Sequence, residues 1–135
     1  MSEAAHRGRC LCGAVTFESA KDPKWVTYCH CASCRRHTAS PVAVFAGFDA
    51  AHFRFTGEAP AAFESSPGVV RQFCRRCGSP ISYQGELYPG EIHLYVGVMD
   101  DPQRYVPQAH VFFDEHLPWF DTADGLARHD RTTGG

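Results

Sequence analysis

Seven cysteines in 135 residues constrain this chain more than any other feature. An odd number cannot be closed entirely into intramolecular disulfides, so at least one thiol has another use. They fall into three groups: Cys10-Leu11-Cys12-Gly13, Cys29-His30-Cys31-Ala32-Ser33-Cys34 and Cys74-Arg75-Arg76-Cys77-Gly78. The start MSEAAHRGRC carries no apolar run suited to an export signal, and no stretch approaches the roughly 18 to 20 apolar residues of a spanning helix. The expected location is therefore the reducing cytoplasm, where close cysteine clusters are metal sites or reactive thiols more often than staples.

Thiolates about 2.3 Å from one zinc ion must come from tightly turning backbone, and a spacing of two or three residues supplies that bite. Gly13 and Gly78 each follow the second cysteine of a pair, where positive φ lets backbone N–H groups turn toward the sulfurs. The likeness of these two knuckles pairs Cys10, Cys12, Cys74 and Cys77 into one closed, structural zinc site. The middle group brings three thiolates, Cys29, Cys31 and Cys34, with no following glycine. One tetrahedral vertex is left over, as in a reactive zinc site.

In an extended segment His30 points away from Cys29 and Cys31, so it reads as a neighbour of the site or a core residue. The open vertex is left to water, a substrate thiol or a distant group such as His110. Other readings of the same cysteines stay open: two purely structural zincs, one zinc with three idle thiols, an iron–sulfur cluster, or a redox dithiol at Cys31 and Cys34.

Thirteen Lys and Arg against fifteen Asp and Glu give a formal charge of −2, which offers no global reason to bind nucleic acid or an anionic membrane. Locally, Arg35 and Arg36 follow the middle cluster, and Arg75 and Arg76 lie inside the last knuckle. Such cations offset thiolate charge, and Arg35 and Arg36 are also candidates to contact the carboxylates of an anionic thiol substrate. His6, His52, His116 and His129 fall in termini or polar turns and read as solvated, whereas His93 and His110 fall in strand-like runs and are placed to face a pocket. Dinucleotide, Walker A, nucleophile-elbow and H-E-x-x-H signatures are missing.

With 44% hydrophobic and 21% charged residues the composition is that of an ordinary globular chain. Runs rich in β-branched and aromatic residues at 14–18, 25–30, 42–48, 52–56, 69–73, 81–83, 91–99 and 109–113 predict strands. In the clearest run Ile92, Leu94, Val96 and Val98 alternate with His93, Tyr95 and Gly97, which predicts a core-facing aliphatic set. Helix is expected only as a turn at 32–37 and a short piece near 123–129. No repeat or linker divides the chain, so the expectation is a single all-β domain over residues 1–135.

Gly8-Arg9-Cys10-Leu11-Cys12-Gly13-Ala14-Val15, Cys29-His30-Cys31-Ala32-Ser33-Cys34-Arg35, Phe73-Cys74-Arg75-Arg76-Cys77-Gly78-Ser79-Pro80 and a late His110-Val111-Phe112 followed by Pro118-Trp119 resemble the glutathione-dependent formaldehyde-activating enzyme family, also called the centromere-protein-V family. The resemblance runs over nearly the whole chain. It implies a β-tent-like fold of small antiparallel sheets around two zinc ions. The structural one would lie at Cys10, Cys12, Cys74 and Cys77, and the reactive one at Cys29, Cys31 and Cys34. It further implies addition of the glutathione thiol, or another small thiol, to formaldehyde or a related aldehyde, in the class of carbon–sulfur lyases. The alternative of a different class is a non-catalytic, zinc-stabilised interaction module.

Overall fold

The computed structural model describes residues 5–133. Its strands are β1 (His6–Arg9), β2 (Thr16–Ser19), β3 (Trp25–Cys29), β4 (Ala43–Asp49), β5 (Phe53–Phe55), β6 (Ala61–Ser66), β7 (Val69–Phe73), β8 (Pro80–Gly85), β9 (Glu91–Tyr95), β10 (Ala109–Val111) and β11 (Ala127–Arg128). One helix, α1 (Ala32–Thr38), and short 3-10 turns complete a mostly β chain, as the sequence predicts. No helix among the described residues is long and apolar enough to cross a membrane.

β1, β2 and β5 pair antiparallel in a three-stranded sheet. The remaining strands form an eight-stranded sheet in the order β11-β10-β3-β4-β9-β8-β7-β6. From β3 to β6 every neighbouring pair is antiparallel, whereas β10 lies parallel to β3 and β11 parallel to β10. Side chains alternate across a strand, so the large sheet has two distinct faces. One face carries Val26, Ala46, Ile81, Ile92 and Leu94, which close against Val15 and Phe17 of the small sheet's side in the main core. Phe48, Ile81 and Leu94 are almost wholly removed from water, each stabilising the fold by about 1.5–3 kcal/mol relative to an exposed side chain.

The second face is also covered, which the alternation along β9 did not foretell. Ile92 and Leu94 turn to the core as expected, but His93 and Tyr95 on the other side are just as buried. The predicted strand ends at Tyr95 because Met99 N–H closes onto the Val96 carbonyl in a 3-10 turn, which brings Met99 into a bridge with Gly8 of β1.

The helical piece expected at 123–129 is not helical: 123–126 has no regular structure and β11 follows at Ala127–Arg128. Its backbone joins the sheet ladder, with His129 N–H donating to the His110 carbonyl at 2.8 Å. Long-range pairing prevails over local helix propensity there. β1 and β6 were not foreseen. His6, read as solvated, is buried between the Tyr105 hydroxyl (2.6 Å) and the Asp22 carboxylate (2.7 Å). His116 and His129 are half-buried, and only His52 of that group is exposed.

Candidate metal centres

The first knuckle follows β1. Gly13 adopts φ 83° and donates its N–H to the Cys10 carbonyl, folding Cys10 and Cys12 onto one side. The second lies between β7 and β8, where Gly78 at φ 80° repeats the same bond to the Cys74 carbonyl. Positive φ at these two positions is a conformation that a side chain would penalise. Ser79 Oγ accepts from Leu11 N–H at 2.9 Å and so fastens one knuckle to the other.

The four sulfurs of Cys10, Cys12, Cys74 and Cys77 all lie within 4.8 Å of one another. Cys10 and Cys12 are 3.6 Å apart and Cys12 and Cys74 3.8 Å. Those separations exceed the roughly 2.05 Å of a disulfide and match the about 3.8 Å edge of a tetrahedron of thiolates 2.3 Å from zinc. Backbone N–H groups of Val15, Arg76 and Cys77 approach the Cys10 and Cys74 sulfurs at 3.3–3.5 Å, the donors that thiolates need.

Cys29 ends β3 and points to the face that carries Trp25 and Thr27, while His30 turns the opposite way. Cys31 caps α1, its sulfur accepting from Cys34 N–H at 3.3 Å, and Cys34 is the buried residue of that helix. Cys29 and Cys34 sulfurs are 3.6 Å apart, again a tetrahedral edge. Hydrogen bonds from the Cys29 and Cys34 thiols pull Cys31 down to about 2. The same contacts push Cys29 far above its ordinary value.

One cation is already present: Arg71, 5% exposed, donates from one terminal nitrogen to Cys34 Sγ (3.5 Å) and the Tyr95 hydroxyl (3.2 Å). Three thiolates around a divalent ion would leave one negative charge, which this guanidinium offsets. Both sulfur sets are thus compatible with zinc.

Beside the trio the same sheet face bounds a cavity of about 260 Å³. One register row builds its floor: Trp25 of β3 lies opposite Gly47 of β4, then His93 of β9, Tyr83 of β8 and Arg71 of β7. Glycine at position 47 is required, since a Cβ there would run into the Trp25 ring. Trp25 thereby meets His93 edge-on at 4.5 Å, Tyr83 stacks on His93 at 5.3 Å, and the Arg71 guanidinium lies 5.1 Å from the Tyr83 ring centre.

His93, anticipated at a pocket, lines this cavity. His110 does not reach it. Its β10 position is level with Tyr28, on the face opposite Cys29. There it stacks on Tyr28 at 4.6 Å and shares a 2.8 Å hydrogen bond with His30. Burial holds His30 down to about 4, so this pair is neutral on the His30 side at pH 7.

Arg35 is spent on the backbone, donating to the His30 (2.5 Å) and Glu115 (2.6 Å) carbonyls, and Arg36 is exposed on α1. Neither lines the cavity. The arginine that does, Arg71, was missed, although it shares strand parity with Val69 and Phe73 in a run already read as β. A lone charge on the inward parity of a strand was the available signal.

Fold and sites define a mostly β protein with two thiol clusters able to hold metal ions, one of them opening on an aromatic cavity. The chain belongs to the glutathione-dependent formaldehyde-activating enzyme family, whose sequence profile matches residues 5–115. A crystal structure of a Rhodobacter sphaeroides protein, determined in a structural genomics programme, is similar at TM-score 0.58 and 22% identity over 91% of this chain and 98% of the other, which shows a shared fold. A search of curated proteins finds no match.

Proposed function

We propose that the chain is a zinc-dependent carbon–sulfur lyase that joins a small thiol, glutathione or another, to formaldehyde or a related aldehyde and reverses that addition. The observation that carries this reading is the asymmetry of the two sulfur sets. Four thiols complete one shell, whereas Cys29, Cys31 and Cys34 leave a vertex beside a cavity. Cys10, Cys12, Cys74 and Cys77 would hold a structural zinc and the trio a reactive one. Zinc at the trio would supply a Lewis acid that keeps a substrate thiol ionised at neutral pH.

The chain's own groups supply the setting. Arg71 holds a fixed positive charge beside Cys34, and aromatic side chains wall the space next to the sulfurs. In the forming direction the thiolate lone pair makes the carbon–sulfur bond, the carbonyl π pair moves to oxygen, and that oxygen takes the proton the thiol gave up. The reading is of a single domain acting on small molecules in the cytoplasm, with no nucleic-acid or membrane partner.

Purification without chelator should yield about two zinc ions per chain, together with faster equilibration of thiol and aldehyde. One inert zinc and no rate above the uncatalysed reaction would sink the enzyme in favour of a zinc-stabilised interaction module.

A further inference from the structure

The space next to the three thiols is walled by rings. Trp25, Phe45, Tyr83, Tyr88, His93 and Phe112 all line it. Among the described lining residues Arg71 is the one arginine or lysine and Glu115 the one carboxylate. Burial holds His93 below its ordinary value against the pull of Glu91, so it adds no second cation at neutral pH. Glu115 is already engaged, accepting from Ala32 N–H at 3.0 Å.

A tripeptide thiol such as glutathione brings two carboxylates and an ammonium. A second carboxylate drawn into this space would meet no cation, and an unpaired charge taken from water is costly. The cavity, at about 260 Å³, also lies under the roughly 300–1,000 Å³ usual for drug-sized ligands. Formaldehyde with a short alkyl thiol errs the other way, leaving the rings uncovered and forgoing the stacking and burial they offer.

We propose that the site takes a thiol–carbonyl adduct carrying a flat, apolar group of about one aromatic ring next to the carbon–sulfur bond, with at most one carboxylate, which Arg71 would meet. This rests on the function proposed above and names its substrate class. The ring is carried by the thiol or by the aldehyde. The bond changes are those already given: sulfur adds to the carbonyl carbon and the oxygen takes the proton.

The test uses zinc-loaded protein and two readouts. Calorimetry compares binding of benzyl mercaptan, mercaptoethanol and glutathione without aldehyde. Rates are then measured for benzyl mercaptan with formaldehyde, mercaptoethanol with benzaldehyde, and glutathione with formaldehyde. Benzyl mercaptan should bind at least about tenfold more tightly than glutathione, and at least one ring-bearing pair should react faster than glutathione with formaldehyde. Whichever ring-bearing pair is faster identifies the partner that carries the ring. Trp25→Ala and Tyr88→Ala, checked for native circular dichroism, should each weaken benzyl mercaptan at least about fivefold more than mercaptoethanol. Tyr88 is half-buried, so its truncation spares the core should Trp25→Ala fail to fold.

Glutathione binding as tightly as benzyl mercaptan and reacting fastest would overturn this inference and leave the thiol–aldehyde reading standing. Unchanged ring selectivity in the folded variants would overturn it too. No binding and no turnover with any thiol would overturn both.

Discussion

The two cysteine clusters have nearly the same sulfur–sulfur spacing, yet they pack against opposite faces of the large sheet. Cys10 and Cys74 belong to the main core with Ala46 and Leu94, whereas Cys29 and Cys34 pack with Phe45 and Tyr95. The four-thiol set is stitched by glycine turns and backbone N–H groups from two distant segments. The three-thiol set comes from one strand end and one helical turn, with a buried guanidinium and aromatic rings around it. Thiol geometry alone therefore does not assign a role. What distinguishes the two sets is the neighbourhood, four thiols closed on one another in one case and three beside a cavity in the other, and the proposed division into a fastening and a reaction centre rests on that difference.

The sharpest way to break this contrast is to remove a thiol from each side. Cys77→Ser should cost the most, lowering Tm by about 10 °C or more and reducing solubility, because the fastening joins segments on either side of the core. A well-folded Cys77→Ser protein that keeps its full zinc content would reverse the assignment of the two sites. Cys31→Ser should reduce turnover to background while far-ultraviolet circular dichroism and Tm stay near those of the parent, since Cys31 lies outside the main core. Undiminished turnover in that variant would remove the trio from the chemistry.

A subtler test keeps all seven sulfurs. Arg71→Gln takes away the charge beside Cys34, and activity should fall by about tenfold, the weight of one charge-assisted contact. Arg36→Ala, on the exposed side of α1, serves as the control with little change. Equal effects of the two would mean that the charge near the trio is general rather than local.

The smallest expected effect is in pH. His37 Nδ1 and the Tyr95 hydroxyl share a 2.6 Å hydrogen bond, and burial, with the Arg71 charge adding to it, holds His37 down to about 4 from an ordinary 6.5. Between those values the unfolded chain binds a proton that the folded chain refuses, so this contribution to stability falls as pH drops from 6.5 to about 4 and is complete above 6.5. His37→Gln should flatten that part of the Tm–pH curve. An identical slope in parent and variant would exclude His37 as its source.

What the sequence disclosed was whatever is written in neighbouring residues. The glycine after each knuckle, the short helical turn at α1 and the aliphatic alternation along β9 are local, and each was readable. β6 escaped because most of its side chains are exposed at a sheet edge, so burial imposes no alternation on it. His6 looked like a solvated terminal residue because its partner Tyr105 is 99 positions away. The aromatic floor was hidden for the same reason. Trp25, His93, Tyr83 and Arg71 are ordinary strand residues until four separate pairings set them in one row.

The sequence distance within each cluster has a consequence for how the protein comes off the ribosome. The trio is complete once residue 34 has emerged, whereas Cys12 must wait for Cys74 to arrive 62 residues later. Closing that longer loop costs about 2 kcal/mol more in chain entropy than closing one of six residues. A soft metal ion met during synthesis would therefore be captured first by the segment that faces the cavity, before the sheet around it exists. The four-thiol set, the proposed fastening, would load last, and a nascent chain would pass through a stage in which the trio and two unpaired thiols, Cys10 and Cys12, compete for the same ion.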